Sequence, residues 1–555
     1  MCSMLYLLAY FAIHSSYAHN RREHVVTIFE AKVAPTDEKL RGGYYTPTAI
    51  AEFVAEWVAV AGMRLLEPAC GDGNILAPLS RLSDDVHGVE LFPDEAAMAV
   101  ARSGADVAIG DFFTWFDREK QGAFDGVAGN PPYIRFGHWA EPTRSDALEF
   151  MRSVGMNPNK LTNAWVPFVV ASIVACREGG RIGLVLPAEL MQVGYAAELR
   201  QYLIDSCAEV NVVTFKRLVF PGILQEVVLL LAVKGAGPAR IQVVEIDDAD
   251  SLATLQIGTA NVRALLHEKE KWTKYHLDAE QVEAIRALRV DNRLRPMGDF
   301  ASVDVGVVTG RNSFFVMTRD EAQAHRVANL TIPLVARSAQ LSGIIYTDRD
   351  HREASGRTEL LDARGVNIHA HPGLREYVSL GEDEDVHTGY KCRIRKEWWV
   401  VPSIWEADAF MLRQIHTHPR VIANDTTATS TDTVHRMRMA QGISAARLAT
   451  AAFNSITFAM SEVVGRSYGG GILELEPSEA EELRVPNPAL VPEYLVGKVD
   501  ELVRAKRIQD ALDIVDQVVL IDGLGFTKDE ILSARAAWVT LRDRRNGRAK
   551  NKVAA

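Results

Sequence analysis

The chain has 555 residues, too many for a single hydrophobic core, so its length predicts roughly two or three domains. Hydrophobic residues make up 48% and charged residues 24% of the sequence, which are the proportions of an ordinary soluble globular protein. The net charge of −11 excludes a protein that coats nucleic acid by bulk attraction, although a local basic cleft is compatible with it.

The chain begins with an apolar run from Met1 to Ile13, which has the length of a signal-peptide core. No positive charge precedes this run, and it is too short to span a bilayer. We therefore interpret residues 1–25 as an extension rather than a working signal peptide. The five cysteines are scattered without a CxxC pair, so we expect a cytoplasmic protein with reduced thiols and no metal site.

A helix is predicted directly after Thr46-Pro47, because threonine is a good N-cap and proline is preorganised for the first helical turn. Short apolar runs then alternate with helix-compatible segments, which is typical of an α/β fold with a mostly parallel sheet covered on both faces. The predicted strands are Arg64–Pro68, Val86–Leu91, Asp106–Ile109, Phe124–Ala128, Arg181–Leu186, Val210–Phe215 and Val227–Val233. The last two are separated by too few residues for a helical crossover, so we expect antiparallel neighbours.

Polar residues follow the first three predicted strands. The first strand runs into a Gly-x-Gly turn, Gly71 to Gly73, where a ligand could approach the backbone closely. Glu90 and Asp111 end the next two strands, and carboxylates there suit a ligand with vicinal hydroxyls and an amino group. Phe112 could cover the face of a purine. Each acid alone would be more typical of a solvated strand end or a helix cap.

The fourth predicted strand runs into Asn130-Pro131-Pro132-Tyr133. Two consecutive prolines make this segment a rigid, irregular turn. The amide oxygen of Asn130 and a backbone carbonyl would then offer two acceptors beside the Tyr133 ring. Such a clamp suits a planar amino group that is held by two hydrogen bonds and stacked on one face. A structural turn capped by a buried tyrosine is the alternative interpretation.

The order of these motifs resembles the γ-class N6-adenine DNA methyltransferases of restriction–modification systems. In that family a Thr-Pro helix precedes the glycine motif, the Asn-Pro-Pro-Tyr tetrad follows, and a target-recognition domain is C-terminal. Residues 40–235 carry the resemblance well, and residues 306–315 and 468–473 carry it less specifically. The resemblance implies a seven-stranded, mostly parallel sheet of the Rossmann-like class I methyltransferase type, followed by a mixed α+β target-recognition domain.

The resemblance also implies S-adenosylmethionine as the methyl donor, without a metal. Thr46 and Glu67 would lie against its methionine part, Glu90 would bind the ribose hydroxyls, and Asp111 would bind the adenine amino group. The full set of residues implied to contact it is Thr46, Glu67, Ala69, Cys70, Gly71, Gly73, Glu90, Asp111, Phe112 and Pro132.

The implied substrate is duplex DNA from which one adenine is flipped out. Asn130 and the carbonyl of Pro131 would accept hydrogen bonds from its N6 amino group, and Tyr133 would stack on the base. Phe220 is the candidate for a second stacking ring, with a core phenylalanine as the alternative. A separately encoded restriction endonuclease acting on the same site would be the companion of such an enzyme, and no membrane partner is expected.

The domains predicted after the extension are a catalytic domain (26–238), a connector (239–295), a recognition domain with C-terminal helices (296–541) and a basic disordered tail (542–555). In the recognition domain, Val303–Arg311 and Trp398–Pro402 are predicted strands. The basic run between them alternates at strand period, which would place Arg393 and Arg395 on one face. Arginine can read guanine or hold phosphate, so this is a candidate DNA groove contact, with a charged edge strand as the alternative.

Other functions are compatible with parts of this pattern. A protein glutamine N5-methyltransferase also holds a planar amino group, but a long chain follows the tetrad here and no helical domain precedes the glycine motif. N4-cytosine methylation is disfavoured only by the asparagine that opens the tetrad. A fused nuclease is disfavoured because the sequence shows no persuasive nuclease motif. A DNA-binding module without activity is disfavoured because the motifs of the site are intact.

Overall fold

The computed structural model describes residues 46–550, except for residues 61, 218, 221–225, 258–270 and 469–470. The extension predicted over residues 1–25 lies outside the described residues. The first half of the chain forms one sheet, and the second half forms several smaller ones. No helix among the described residues combines the length and the apolar composition that crossing a membrane requires.

The first sheet has eight strands in the order β3-β2-β1-β4-β5-β7-β6-β8. They are β1 (Arg64–Glu67), β2 (Asp85–Glu90), β3 (Asp106–Ile109), β4 (Phe124–Gly129), β5 (Cys176–Pro187), β6 (Cys207–Phe215), β7 (Val227–Lys234) and β8 (Arg240–Ile246). Every predicted strand is present, and the antiparallel pairing of β6 with β7 is confirmed. The predicted count of seven is corrected to eight, because β8 pairs parallel to β6 and extends the sheet into the predicted connector.

Helices cover both faces of this sheet. They span Thr48–Ala59, Leu76–Leu82, Pro93–Ser103, Phe112–Trp115, Thr143–Ser153, Trp165–Ala175 and Ala197–Ser206. Leu65 and Leu229 pack in one hydrophobic core, whereas their chain neighbours Leu66 and Leu230 pack in the other. Because successive residues of a strand face opposite sides, this alternation buries both faces, and the predicted α/β class is confirmed.

The second half is a mixed α+β region, as predicted. Its largest sheet has the order β10-β19-β15-β17-β13. Its strands are β9 (Arg295–Pro296), β10 (Ala301–Asp304), β11 (Val316–Met317), β12 (Thr331–Val335), β13 (Ile345–Tyr346), β14 (Glu359–Leu361), β15 (Ala409–Leu412), β16 (Gln414–Ile415), β17 (Val421–Asn424), β18 (Thr429–Ser430), β19 (Val434–Met439), β20 (Arg466–Tyr468), β21 (Ile472–Glu474) and β22 (Arg484–Val485). The α-helices span Ala279–Val290, Asn312–Phe315, Arg319–Ala324, Asp348–Glu353, Pro372–Asp383, Tyr390–Arg393, Ala445–Ala451, Ser455–Val464, Pro477–Glu481, Glu493–Arg504, Ile508–Val515 and Lys528–Lys550.

The two strands predicted in this half are corrected. The first ends at Asp304, and the segment Trp398–Pro402 is not a strand. The basic run before it begins with the short helix Tyr390–Arg393, so Arg393 and Arg395 do not share one face of a strand. Arg395 instead turns back and donates hydrogen bonds to the backbone carbonyls of Val308 and Thr309 in a distant loop.

The prediction of a disordered basic tail is wrong for residues 542–550, which continue the last helix. The Arg545 side chain is 2% exposed and pairs with the equally buried Glu462, with a nitrogen–oxygen distance of 2.6 Å. Arg544 pairs with Glu245 of β8 and thereby ties the last helix to the first sheet. Arg544 and Arg545, which the sequence pattern placed in a disordered tail, instead neutralise acids inside the fold.

Candidate active site

The carboxyl ends of β1, β2, β3 and β4 meet at one edge of the sheet and border a cavity of about 320 Å³. Four polar residues of the predicted site end or follow these strands and line it: Glu67, Glu90, Asp111 and Asn130. Ligands of open α/β sheets bind outside the carboxyl ends of the strands. The strand order therefore brings together residues that lie up to 63 positions apart in the sequence, from Glu67 to Asn130.

Glu90 is fixed by the glycine motif. Its Oε2 accepts a hydrogen bond from the backbone N–H of Gly71 at 2.8 Å, and its Oε1 accepts one from the N–H of Phe92 at 2.9 Å. Gly71 has a φ of +51°, the left-handed region that favours glycine. The N–H groups of Gly71 and Phe92 thus hold one carboxylate oxygen each, and each oxygen keeps a further lone pair for a donor on a ligand.

Glu67 lies at the base of the cavity and is 2% exposed. Its Oε2 atom is buried and has no hydrogen-bond partner among the described residues. Burial, together with the nearby carboxylates of Glu90 and Asp72, raises the pKa of Glu67 well above its ordinary value. A buried acid beside two further acids is stabilised by a cation or a hydrogen-bond donor, so this end of the cavity suits a positively charged ligand.

Asp111 caps the short helix Phe112–Trp115, because its Oδ1 accepts hydrogen bonds from the N–H groups of Phe113 at 2.8 Å and Thr114 at 3.1 Å. The cap holds the carboxylate at the cavity wall. Phe112 stacks on Phe168, with 5.4 Å between the ring centroids, and both rings line the cavity. This wall can accept the face of an aromatic ligand.

The asparagine of the tetrad is oriented by the residue before the first helix. Asn130 donates a hydrogen bond from Nδ2 to the Thr46 hydroxyl at 3.2 Å. This bond orients the amide group so that its oxygen, which is the hydrogen-bond acceptor, points away from Thr46. Thr46 was predicted as the N-cap, but Pro47 occupies that position. Tyr133 donates a hydrogen bond from its hydroxyl to the carbonyl of Val185 at 3.0 Å, so its ring is held beside the end of β5.

Most of the residues predicted to contact a cofactor line the cavity, namely Thr46, Glu67, Ala69, Cys70, Gly71, Glu90, Asp111, Phe112 and Pro132. Gly73 does not. Its φ is +86°, and an added Cβ would come within 2.8 Å of the Ala99 Cα, so close packing against the helix Pro93–Ser103 explains this glycine. Pro131 and Tyr133 are likewise outside the lining, although they belong to the turn that borders it.

Besides Tyr133, three further residues predicted to bind the substrate lie outside the cavity lining. Phe220 is 4% exposed and packs in the core with Phe215 and Leu229, so its role as a second stacking ring remains a prediction. Its neighbours at 218 and 221–225 are outside the described residues. Arg393 and Arg395 belong to the second half of the chain and do not line the cavity.

The sequence interpretation missed the segment that follows the tetrad. Ile134, His138, Trp139 and Thr143 line the cavity together with residues of the strand ends. Arg144 fastens this segment, because its guanidinium donates hydrogen bonds to the carbonyls of Phe136 at 3.1 Å and Trp139 at 3.2 Å. The aromatic residues 136 and 139 after the tetrad were the available signal in the sequence. Among the described residues, no group of three or more histidines, cysteines or acids could hold a metal ion.

Comparisons with known proteins agree with this geometry. The model of the N-6 DNA Methylase family matches residues 24–274, and the model of the C-terminal domain of Type II methyltransferase M.Eco57I matches residues 269–520. Type II methyltransferase M.AccI of Acinetobacter calcoaceticus is 19% identical, with 79% of this chain and 83% of the relative covered. M.XamI of Xanthomonas campestris pv. amaranthicola is 22% identical, with 80% of this chain and 85% of the relative covered.

Among solved structures, the type IIG restriction endonuclease BpuSI is 13% identical, with a TM-score of 0.37 and coverage of 94% of this chain and 66% of that one. The resemblance found in the sequence is confirmed by the two family models, which together cover residues 24–520. The γ-class assignment within the family stays a prediction. The first half of the chain, residues 24–274, therefore matches the N-6 DNA Methylase family, and together with the Type II methyltransferase relatives this match identifies a DNA adenine methyltransferase.

Proposed function

We propose that the protein transfers a methyl group from S-adenosylmethionine to the N6 amino group of an adenine flipped out of duplex DNA. The observation that carries this proposal is the convergence of Glu67, Glu90, Asp111 and Asn130 on one cavity at the carboxyl ends of four neighbouring strands. Three acids and one amide acceptor at one site combine a pocket for a cationic nucleoside with a clamp for an amino group.

The cavity residues fit S-adenosylmethionine. This cofactor supplies an electrophilic methyl group on a sulfonium centre. Glu90, held by Gly71 and Phe92, would accept hydrogen bonds from the ribose hydroxyls, and Asp111 would accept one from the adenine amino group. Glu67 supports the fit most directly, because its buried carboxyl lacks a described partner for Oε2 and the ligand brings positive charge to it.

Asn130 and the carbonyl of Pro131 would prepare the acceptor nitrogen. The lone pair of an exocyclic adenine nitrogen is delocalised into the ring, so this nitrogen is a poor nucleophile. Two acceptors that hold both N–H groups localise the lone pair and direct it at the methyl carbon. Positioning and electrostatic stabilisation would then supply much of the rate enhancement.

Tyr133 would hold the flipped base. Extrusion of a paired base costs a few kcal/mol, and aromatic stacking returns about 1–3 kcal/mol per contact. The hydrogen bond from the Tyr133 hydroxyl to Val185 fixes the ring before the base arrives, which lowers the entropic cost of stacking. Phe220 would need to leave its core position to contribute a second face.

The biological setting proposed for this activity is a restriction–modification system, with a separately encoded endonuclease that acts on the same sequence. The relatives named Type II methyltransferases support this setting. The match to the N-6 DNA Methylase model favours adenine over cytosine N4 and over a protein glutamine.

The test is to express the chain in cells that lack DNA methyltransferases and to analyse the nucleosides of their DNA by mass spectrometry. We expect N6-methyldeoxyadenosine, and sequencing of the same DNA then gives the sequence context of the modified base. N4-methyldeoxycytidine alone, or unmodified DNA from cells that contain the folded protein, would overturn the proposal.

A further inference from the structure

A basic surface in the second half of the chain is formed by two segments that are distant in the sequence, Val308–Ser313 and Tyr390–Lys396. We call it the turn surface. The two segments touch where Gly310 meets Lys391, since an added Cβ on Gly310 would come within 2.8 Å of the Lys391 Cβ. Together they contain five basic residues and no acidic residue, in a chain whose net charge is −11.

The first segment is a turn that is held from two sides. Arg395 donates hydrogen bonds to the carbonyls of Thr309 at 2.7 Å and Val308 at 3.1 Å. Inside the turn, the Thr309 hydroxyl accepts a hydrogen bond from the N–H of Arg311 at 3.2 Å and donates one to Asn312. Gly310 has a φ of +87°, which glycine adopts without strain. The backbone of Arg311 is therefore fixed while its side chain is exposed.

The exposed cations of the turn surface have no carboxylate partner in the part of the chain that the structure describes. Arg311, Lys391, Arg393 and Lys396 are exposed, and none forms a salt bridge with a described residue. Other arginines of this half are paired with acids, as in Arg319–Glu359, Arg326–Glu376, Arg349–Glu353 and Arg357–Glu321. Like charges held close together repel each other, and a polyanion would relieve this repulsion.

Large apolar side chains are exposed between these cations. Tyr390 is 65% exposed, Ile394 is 60% exposed and Val308 is 43% exposed. Cations interleaved with exposed aromatic and aliphatic side chains suit duplex DNA, in which phosphates flank the sugars and the base edges of the grooves. The exposed acids at residues 382–385 precede the second segment, and the exposed Glu397 follows it. These carboxylates would repel phosphates, so the contact is expected at the two basic segments.

We propose that the turn surface contacts the substrate DNA, with Arg311 at a base edge and Lys391, Arg393 and Lys396 at phosphates. This inference rests on the proposed function. Arg395 is a positioning residue, since its guanidinium is occupied by the carbonyls of the turn rather than directed to a ligand. An arginine on a rigid turn presents two parallel donors that match the acceptors of guanine.

The phosphate contacts are tested by the salt dependence of binding to a mixed-sequence duplex. In a variant with Lys391→Gln, Arg393→Gln and Lys396→Gln, we expect the negative slope of log K against log salt to decrease in magnitude by about 0.9 for each lost contact, measured between roughly 50 and 200 mM salt. A matched control with Arg349→Gln, Lys498→Gln and Arg507→Gln removes the same charge from other exposed positions and keeps the wild-type slope.

The base contact is tested with a duplex that carries the sequence found methylated in expressing cells. We expect Arg311→Gln to weaken binding to this duplex roughly 5- to 150-fold and to leave mixed-sequence binding nearly unchanged. Arg395→Gln should reproduce the loss with unchanged S-adenosylmethionine affinity, and Arg395→Lys should restore part of it. A loss of stability without a change in discrimination would show a structural role only and would overturn the assignment to Arg395.

These measurements separate the inference from the function on which it rests. If the wild-type protein methylates DNA while the variants keep its affinity and salt slope, the turn surface is not the contact and the inference is wrong. A surface that binds another protein would give this same result. If the folded wild-type protein neither binds nor methylates DNA, the proposed function itself fails.

Discussion

The strand-end cavity and the turn surface place functional side chains in different ways. In the cavity, the four predicted residues Glu67, Glu90, Asp111 and Asn130 each end or follow a strand, and the order of parallel strands brings their motifs to one edge. On the turn surface, Arg311 is positioned by Arg395, a residue 84 positions away, through hydrogen bonds to the backbone of its turn. Side chains at strand ends can therefore be located from a local pattern, whereas the turn surface depends on tertiary contacts.

The largest predicted effect concerns Arg545, which the sequence pattern placed in a disordered tail and which forms a buried ion pair. Arg545→Ala would leave the Glu462 carboxylate buried without its cation, and we expect a loss of about 3–5 kcal/mol in the free energy of unfolding. Denaturant unfolding measures this loss, and Arg542→Ala in the same helix serves as the control. Equal stability of the two variants would restore the interpretation of this segment as a solvated tail.

Asp111 tests the cavity side of the comparison. We expect Asp111→Ala to weaken S-adenosylmethionine binding by about 1–3 kcal/mol, because a hydrogen bond to a charged acceptor is lost. Calorimetry measures the affinity. Asp117→Ala removes a similar cap from the next turn and controls for the loss of helix capping. If both variants bind the cofactor equally well, Asp111 acts only as a cap.

The raised pKa of Glu67 predicts that stability and S-adenosylmethionine affinity depend on pH. Its pKa is raised in the folded apo protein, so above the ordinary carboxyl pKa its burial costs stability, and this cost grows as pH rises through the raised pKa. A cationic ligand favours the ionised form, so S-adenosylmethionine affinity should increase with pH by at most about tenfold per unit below that pKa. Calorimetry across pH should show this increase in the wild-type protein and not in Glu67→Gln. An identical pH profile for the two proteins would contradict it.

The smallest predicted effect belongs to Arg144, whose hydrogen bonds hold the segment after the tetrad in its position beside the cavity. Arg144→Ala removes two hydrogen bonds to backbone carbonyls, each worth about 1 kcal/mol, and an ion pair with Glu141. We therefore expect KM for S-adenosylmethionine to increase several-fold while kcat changes little. Arg152→Ala, on the exposed side of the same helix, is the matched control. A decrease in kcat with an unchanged KM would assign this segment to the DNA instead.

The strands and the cavity were largely predictable because short apolar runs and strand ends are local features. The strand Asp106–Ile109 has the predicted bounds, and Glu90 and Asp111 line the cavity as expected. The eighth strand and the role of Arg144 were not predicted, because pairing partners and carbonyl acceptors are set by tertiary packing. Gly73 shows that one residue of a correctly predicted motif can still be assigned the wrong role. Close packing against Ala99, rather than a ligand, requires a glycine there.

The central claim is that Asn130 holds the acceptor base and contributes little to cofactor binding. Methyl transfer and S-adenosylmethionine affinity measured together on Asn130→Ala test it most directly, with the surface variant Asn157→Ala as control. We predict that methyl transfer to DNA decreases by at least about 10²–10³-fold while calorimetry gives nearly the wild-type affinity. Methyl transfer at the wild-type rate in Asn130→Ala would contradict the mechanism.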